Sequence, residues 1–156
     1  MCAAVCACHG LLHYEITEFS FTAEKFKEFL EGVAGTVKER THIFLDNCKV
    51  HHAKSLKGIW EELDLVPIWN VPYKFDYNSA IEKYWALVKK SFRDLLLKRM
   101  LDVPRGKDLP LAPAVREAMR ITPTSSISSF VLHGLAILER DATEIKNERK
   151  RFEIDK

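Results

Sequence analysis

Read as apolar and polar positions, the chain begins with two short β-prone runs, AAVCACHG and LLHYEITEF, that meet around Gly10 and suit a hairpin. The first run is so uniformly apolar that it reads as an interior strand. The period changes after Thr22. In AEKFKEFLEGV, Phe26, Phe29, Leu30 and Val33 recur at spacings of three and four, which predicts a helix with Thr22 as its N-cap. THIFLDN predicts a short buried strand with Asp46 at its C-terminal end, and HAKSLKGIWEELD a helix with Leu56, Ile59, Trp60 and Leu63 as its stripe. DLVPIWNVP predicts another strand, ending at Pro72. After the loop PYKFDYNS comes a long helix, with Ile81, Trp85, Val88, Phe92, Leu95, Leu96 and Met100 facing inward and Glu82 near its start, toward the edge of the buried face. DVPRGKDLPLAP reads as a connector, AVREAMR and SISSFVLHGLAILERDA as two further helices. The charged TEIKNERKRFEIDK reads as a tail that frays or continues as a solvated helix.

This order of elements describes one α/β domain with a mixed sheet, its first pair antiparallel. Strand ends in open α/β folds are where ligands bind, and Asp46 is such a residue. The 47% hydrophobic and 29% charged residues argue against long disorder. A near balance of 24 basic against 22 acidic residues leaves only +2, so any contact with a polyanion depends on local clusters. Lys83, Lys89, Lys90, Arg93, Lys98 and Arg99 make the long helix basic, and Lys49, Lys54 and Lys57 can join them along a nucleic-acid groove. The plainer reading of the same residues is a solvated face.

Cys2, Cys6, Cys8 and Cys48 lack the paired spacing of a zinc site and read as reduced thiols in an intracellular protein. Strand alternation would send Cys6 and Cys8 to one face and His9 to the other, against a shared metal. The opening MCAAVCACHGLL lacks a basic leader region, and no apolar run approaches the roughly 18 residues that suggest a membrane span. Trp60, Trp69 and Trp85 read as core.

Between Leu45 and Trp85 the residues fall in a more specific order: Asp46, Asn47 and His51 after a strand, then Tyr73, Asp76, Asn78, Ile81, Glu82 and Trp85 across a loop and into a helix. Two acids at a given spacing would mean little in a chain with 22 of them; the combination is specific. It resembles the DDE endonuclease domain of the mariner-type transposase superfamily. The resemblance covers approximately residues 3 to 140, taking in the hairpin, TAEKFKEFL and ITPTSSISSFVLHG. It implies an RNase H-like mixed sheet flanked by helices: a partial DDE domain over residues 1–102, a helical C-terminal part of the same domain over 103–140, and a charged tail over 141–156. It also implies three carboxylates holding two Mg²⁺ or Mn²⁺ ions roughly 3.5 to 4 Å apart, which activate water and stabilise the leaving oxygen in attack on a phosphodiester. Asp46 and Glu82 would be two of those catalytic, metal-ligating carboxylates, since hard cations take oxygen ligands. Lys49, His51, His52, Lys89, Lys90 and Arg93 are the candidates for contact with DNA. For His51 and His52 the competing reading is an ordinary surface or satisfied histidine, and for His51 support of Asp46.

The sequence departs from the family in its first part. The family's first catalytic Asp lies on a strand ahead of the hairpin, whereas residues 1–45 contain no Asp, and Glu15, Glu18, Glu24, Glu28, Glu31 and Glu39 fall at other positions. The expectation is a sheet whose first, central strand is missing from this chain, with two unpaired interior edges that are costly to leave open. A partner's strand, direct re-pairing of the hairpin with the Asp46 strand, or an upstream part of a larger gene product can each fill that gap. Lys74 and Phe75 replace a Ser-Pro pair, and Ser79-Ala80 replaces the proline before Ile-Glu, with Ser79 available as a cap. An upstream helix-turn-helix is absent too. The resulting expectation is a transposase-derived protein, catalytically inactive, acting as a structural subunit with a protein partner and, by resemblance, near DNA in the nucleus, an organelle being left open. The alternatives are an active endonuclease whose first Asp comes from upstream or from another chain, and a non-catalytic nucleic-acid-binding module. Mg or Mn is the expected cofactor if the site functions, and none otherwise.

Overall fold

The computed structural model describes residues 1–70, 79–102 and 111–154. The chain starts in strand β1 (Cys2–Cys6), turns through residues 7–9 and returns as β2 (Gly10–Glu15). The two are antiparallel, Cys2 opposite Glu15 and Cys6 opposite Gly10, with a slip in register between Ala4 and Val5. Gly10 holds φ at 74°, a left-handed conformation that a glycine adopts without steric cost.

Helix α1 (Ala23–Ala34) is capped as its sequence predicts: the Thr22 hydroxyl accepts from the Lys25 backbone N–H at 3.3 Å. Phe26, Phe29, Leu30 and Val33 are buried along one face. Strand β3 (Thr41–Leu45) follows and pairs in parallel with β4 (Leu65–Trp69). Pro67 sits within β4, where the missing N–H is tolerated because β4 is paired on one side only among the described residues.

The connection between these strands differs from the single helix predicted over HAKSLKGIWEELD. It consists of a 3₁₀ turn at Lys54–Leu56 and a short helix α2 (Ile59–Glu62). Gly58 separates them with φ 97° and ψ −28°, a conformation that cannot continue a right-handed helix. The apolar stripe nevertheless reaches its target: Leu56 is buried, and Ile59, Trp60 and Leu63 pack on the α1 core.

Three helices complete the chain: α3 (Ser79–Asp102), α4 (Leu111–Ile121) and α5 (Thr124–Ile154). The tail expected to fray or extend continues α5 as helix to Ile154. Thr124 packs beside Gly10, where an added Cβ would lie 3.2 Å from the Thr124 Cα, and the Ser128 hydroxyl donates to the Ala7 carbonyl oxygen at 2.5 Å. These contacts seat the start of α5 on the hairpin. The strand end expected at Pro72, the loop PYKFDYNS up to Asn78 and most of the connector before α4 fall outside the described residues.

Two apolar clusters result. The first gathers α1, Leu56 and Leu65, with Cys2, Ala4, Ile43 and Leu45 against it. The second joins Tyr84 and Val88 of α3, Ala118 and Met119 of α4 and Ile127 of α5, with Ala3, Val5, Leu11 and Tyr14 against it. Strand β1 thus lies between the two, sending alternate residues to each, as the two-residue period of a strand requires. Burial along α3 differs from the sequence reading at both ends. Tyr84, absent from the predicted face, is its most buried residue, whereas Met100 is 61% exposed because α4 and α5 cover only the earlier turns of that stripe.

The described strands form an α/β architecture but two separate two-stranded sheets, where one mixed sheet was expected. The hairpin does not re-pair with the Asp46 strand. Although Cys2 and Ala4 share a core with Ile43 and Leu45, β1 and β3 exchange no ladder hydrogen bonds, and every residue of both strands retains some exposure.

Tyr84 provides a direct check of the second cluster. Its hydroxyl is buried without a hydrogen-bond partner among the described residues, and burial, with Tyr14 adding to it, pushes the phenol from its ordinary 10 up to about 12. The unfolded chain therefore releases this proton first as pH rises. Stability from the neutral phenol is complete below pH 10 and falls as pH climbs toward 12. Tyr84→Phe removes an unpaired buried hydroxyl, so denaturant melts at pH 7 should show a gain of about 1 kcal/mol and a smaller alkaline loss than wild type. A destabilised variant with an unchanged alkaline profile would place the hydroxyl in a hydrogen bond.

Candidate functional site

The residues following β3 form a compact clip. Asp46 is the first residue past the strand, and its carboxylate oxygen Oδ1 accepts from the Cys48 backbone N–H at 3.1 Å, turning the chain away from the sheet. The Asn47 side-chain amide donates to the Asn70 carbonyl at 2.6 Å, and the Asn70 N–H donates to the Leu45 carbonyl at 2.8 Å. The ends of β3 and β4 are thereby tied together. A turn through residues 49–52 returns His51, whose Nδ1 lies 2.9 Å from Asp46 Oδ1.

His51 is held from its other side by Phe26 of α1, the ring centroids 4.3 Å apart. Its side chain is only 17% exposed, while that of Asp46 is 56% exposed. The arrangement fixes one carboxylate oxygen against an imidazole at the rim of the core. His52 stacks on Trp69 at 4.2 Å, and Trp69 meets Trp60 edge-on at 6.0 Å. The two adjacent histidines therefore do different things: one orients the acid, the other covers an indole.

Cys2 lies near enough that the Asp46 charge acts on its thiol. Burial is the largest cause that pushes this thiol up to about 12, with the Asp46 and Glu15 charges adding to the effect and the amino terminus opposing it. The thiol is thus kept protonated, unreactive and unsuited to binding a metal at neutral pH. At the hairpin turn, His9 folds back on Cys6, with Nδ1 3.7 Å from Sγ and the His9 N–H donating to Sγ at 3.2 Å. This corrects the expectation that Cys6 and His9 diverge: β1 ends at Cys6, so strand alternation no longer governs His9.

Glu82 occupies the first turn of α3 and is exposed, without a hydrogen bond or ion pair to a described residue. Lys89 and Arg93 together line a shallow cavity of about 370 Å³ with Ala86 and Phe92, while Lys90 is exposed beside them. Lys49 is exposed on the clip. The sequence-derived candidates thus include two local groups, Asp46 with His51, and Lys89 with Arg93. Phe26 is the participant that sequence reasoning missed. Its helical spacing marks it as core, and nothing in that spacing indicates that its ring supports His51.

The model for DDE superfamily endonucleases matches residues 1–102, and the chain belongs to that superfamily. A comparison with curated proteins finds none that matches. The chemistry of this superfamily uses Mg or Mn, which require several oxygen donors directed at one point. The described residues do not provide that: no three His, Cys, Asp or Glu side chains among them gather into a metal-holding group, and one Asp46 oxygen is already engaged by His51 and Cys48. No cleavage step follows from this arrangement. Among the described residues no single helix is long and apolar enough to cross a membrane.

Proposed function

We propose that this chain is a transposase-derived member of the superfamily that no longer cleaves DNA and serves as a structural subunit of a larger assembly, its sheet completed by a partner's strand. The observation supporting this reading is the pair of short sheets, in which β1 and β3 pack on one core without sharing a ladder. An open strand edge presents N–H and C=O groups that another strand can satisfy, and backbone pairing of this kind is a recurrent mode of association. The engaged Asp46 carboxylate supports the loss of cleavage, because a ligand to two cations needs its oxygens directed at them.

Sedimentation of the purified chain tests the structural half of the proposal. Self-association at micromolar concentration is expected, as exposed edges find one another; a stable monomer with a single two-state melt would sink the partner. A nicking assay on supercoiled DNA with Mn²⁺ tests the chemical half. Wild type and Asp46→Ala should both leave the DNA intact, and nicking by wild type that Asp46→Ala abolishes would establish an active endonuclease instead.

A further inference from the structure

Helices α3 and α4 enclose an open groove of about 520 Å³, lined by Arg99, Pro113, Arg116, Glu117 and Arg120. Its position follows from the packing of α4, which buries Ala114, Ala118 and Met119 and leaves Arg116 and Arg120 exposed. Residues four apart stand one above the other on a helix, where two like charges repel and cost the helix a few tenths of a kcal/mol. Glu117 does not relieve that pair, because it is bound to Arg99 across the groove at 2.5 Å. Arg116 and Arg120 form no ion pair with any described residue. Three guanidinium groups against one carboxylate leave the groove with two uncompensated positive charges.

The type of cation is as informative as the charge. Lysines outnumber arginines in this chain, yet all the cations lining the groove are arginine. A guanidinium presents a planar fork of donors that matches two oxygens of a phosphate at once, which an ammonium cannot do. The Arg99–Glu117 pair fixes one fork between the helices, and Arg116 and Arg120 supply two more from a single helix face. The volume lies within the usual range for a site that receives a small molecule or a segment of a larger one.

We infer that the groove between α3 and α4 is a binding site for phosphate groups, held by Arg99, Arg116 and Arg120. It is built on the second apolar cluster, whereas the Asp46 clip is built on the first, so the site does not depend on whether the clip has any chemistry. The phosphate can belong to a small phosphorylated molecule or to a nucleic-acid backbone, and the two sources are separable by experiment.

Calorimetric titration of the full chain with sodium pyrophosphate, and fluorescence titration with a labelled 20-nucleotide strand at two salt concentrations, make the test. Saturable binding of at least one probe is expected. Pyrophosphate binding identifies a small-molecule site, and binding of the strand alone identifies a backbone site. In either case R116Q/R120Q should weaken binding at least tenfold, and for the strand should lower the salt slope by about two. Both side chains are exposed, so the variant should keep the wild-type circular dichroism and melting temperature. Binding of neither probe, equal binding by the variant, or equally tight binding of a poly-glutamate peptide would overturn the site.

Discussion

Phe26→Ala should cost about 3 to 5 kcal/mol, a large share of the stability of about 5 to 15 kcal/mol typical of a domain. The ring is fully buried in the first cluster, stacked on Phe29 at 5.8 Å and meeting Trp60 at 6.2 Å. Its loss leaves a cavity that α1, pinned by Leu30 and Val33, cannot close. The second consequence is local. His51 loses the surface on which its ring rests, so the imidazole is freed from Asp46 and its ring-proton NMR signals should move toward those of an exposed histidine. Val33→Ala is the control: it also opens the first cluster, but Val33 makes no ring contact with His51. If both variants leave the His51 signals in place, Phe26 stabilises the core without positioning the clip.

The second large effect is expected at Gly32, where alanine, normally the better helix former by about 1 kcal/mol, should destabilise by about 1 to 3 kcal/mol. A Cβ on Gly32 would lie 2.2 Å from Nε2 and 2.5 Å from Cε1 of His13 on β2. That imidazole cannot simply withdraw: Phe29 lies 5.5 Å from its centroid, and Nε2 is buried 3.5 Å from a Glu15 carboxylate oxygen. The clash therefore outweighs the propensity gain. His13→Ala combined with Gly32→Ala should recover most of the loss, which urea melts of the two singles and the double will show as coupling between the sites. Additive costs would place the strain within α1 itself.

Much of the fold is legible in the sequence where a period persists long enough to define a face. Thr22 and the three-four spacing behind it specify α1 down to its cap, because a capped amphipathic helix needs only local information. The failures arise where one residue changes the backbone or where distant elements decide burial. Gly58 divides the predicted helix after β3, although glycine inside an apolar pattern is a weak signal on its own. Tyr84 becomes buried because Tyr14, Ala118, Met119 and Ile127 belong to the cluster that covers it, a relation absent from the local pattern of α3. Asp46 and His51 were visible as spaced letters; that they touch depends on a turn, and that the contact is rigid depends on a phenylalanine from another element.

Asp46, Asn47 and His51 also have a reason to remain together that no phosphodiester bond enforces. One begins a turn, one joins two strand ends and one closes the turn against the core, so replacing any of them disturbs folding before it disturbs chemistry. A lineage that stopped cutting DNA could keep all three for their architecture alone. The motif consequently records the shape of a loop, and counting nucleases in a genome by that motif will also count chains that retain the hinge of the scissors without its blades.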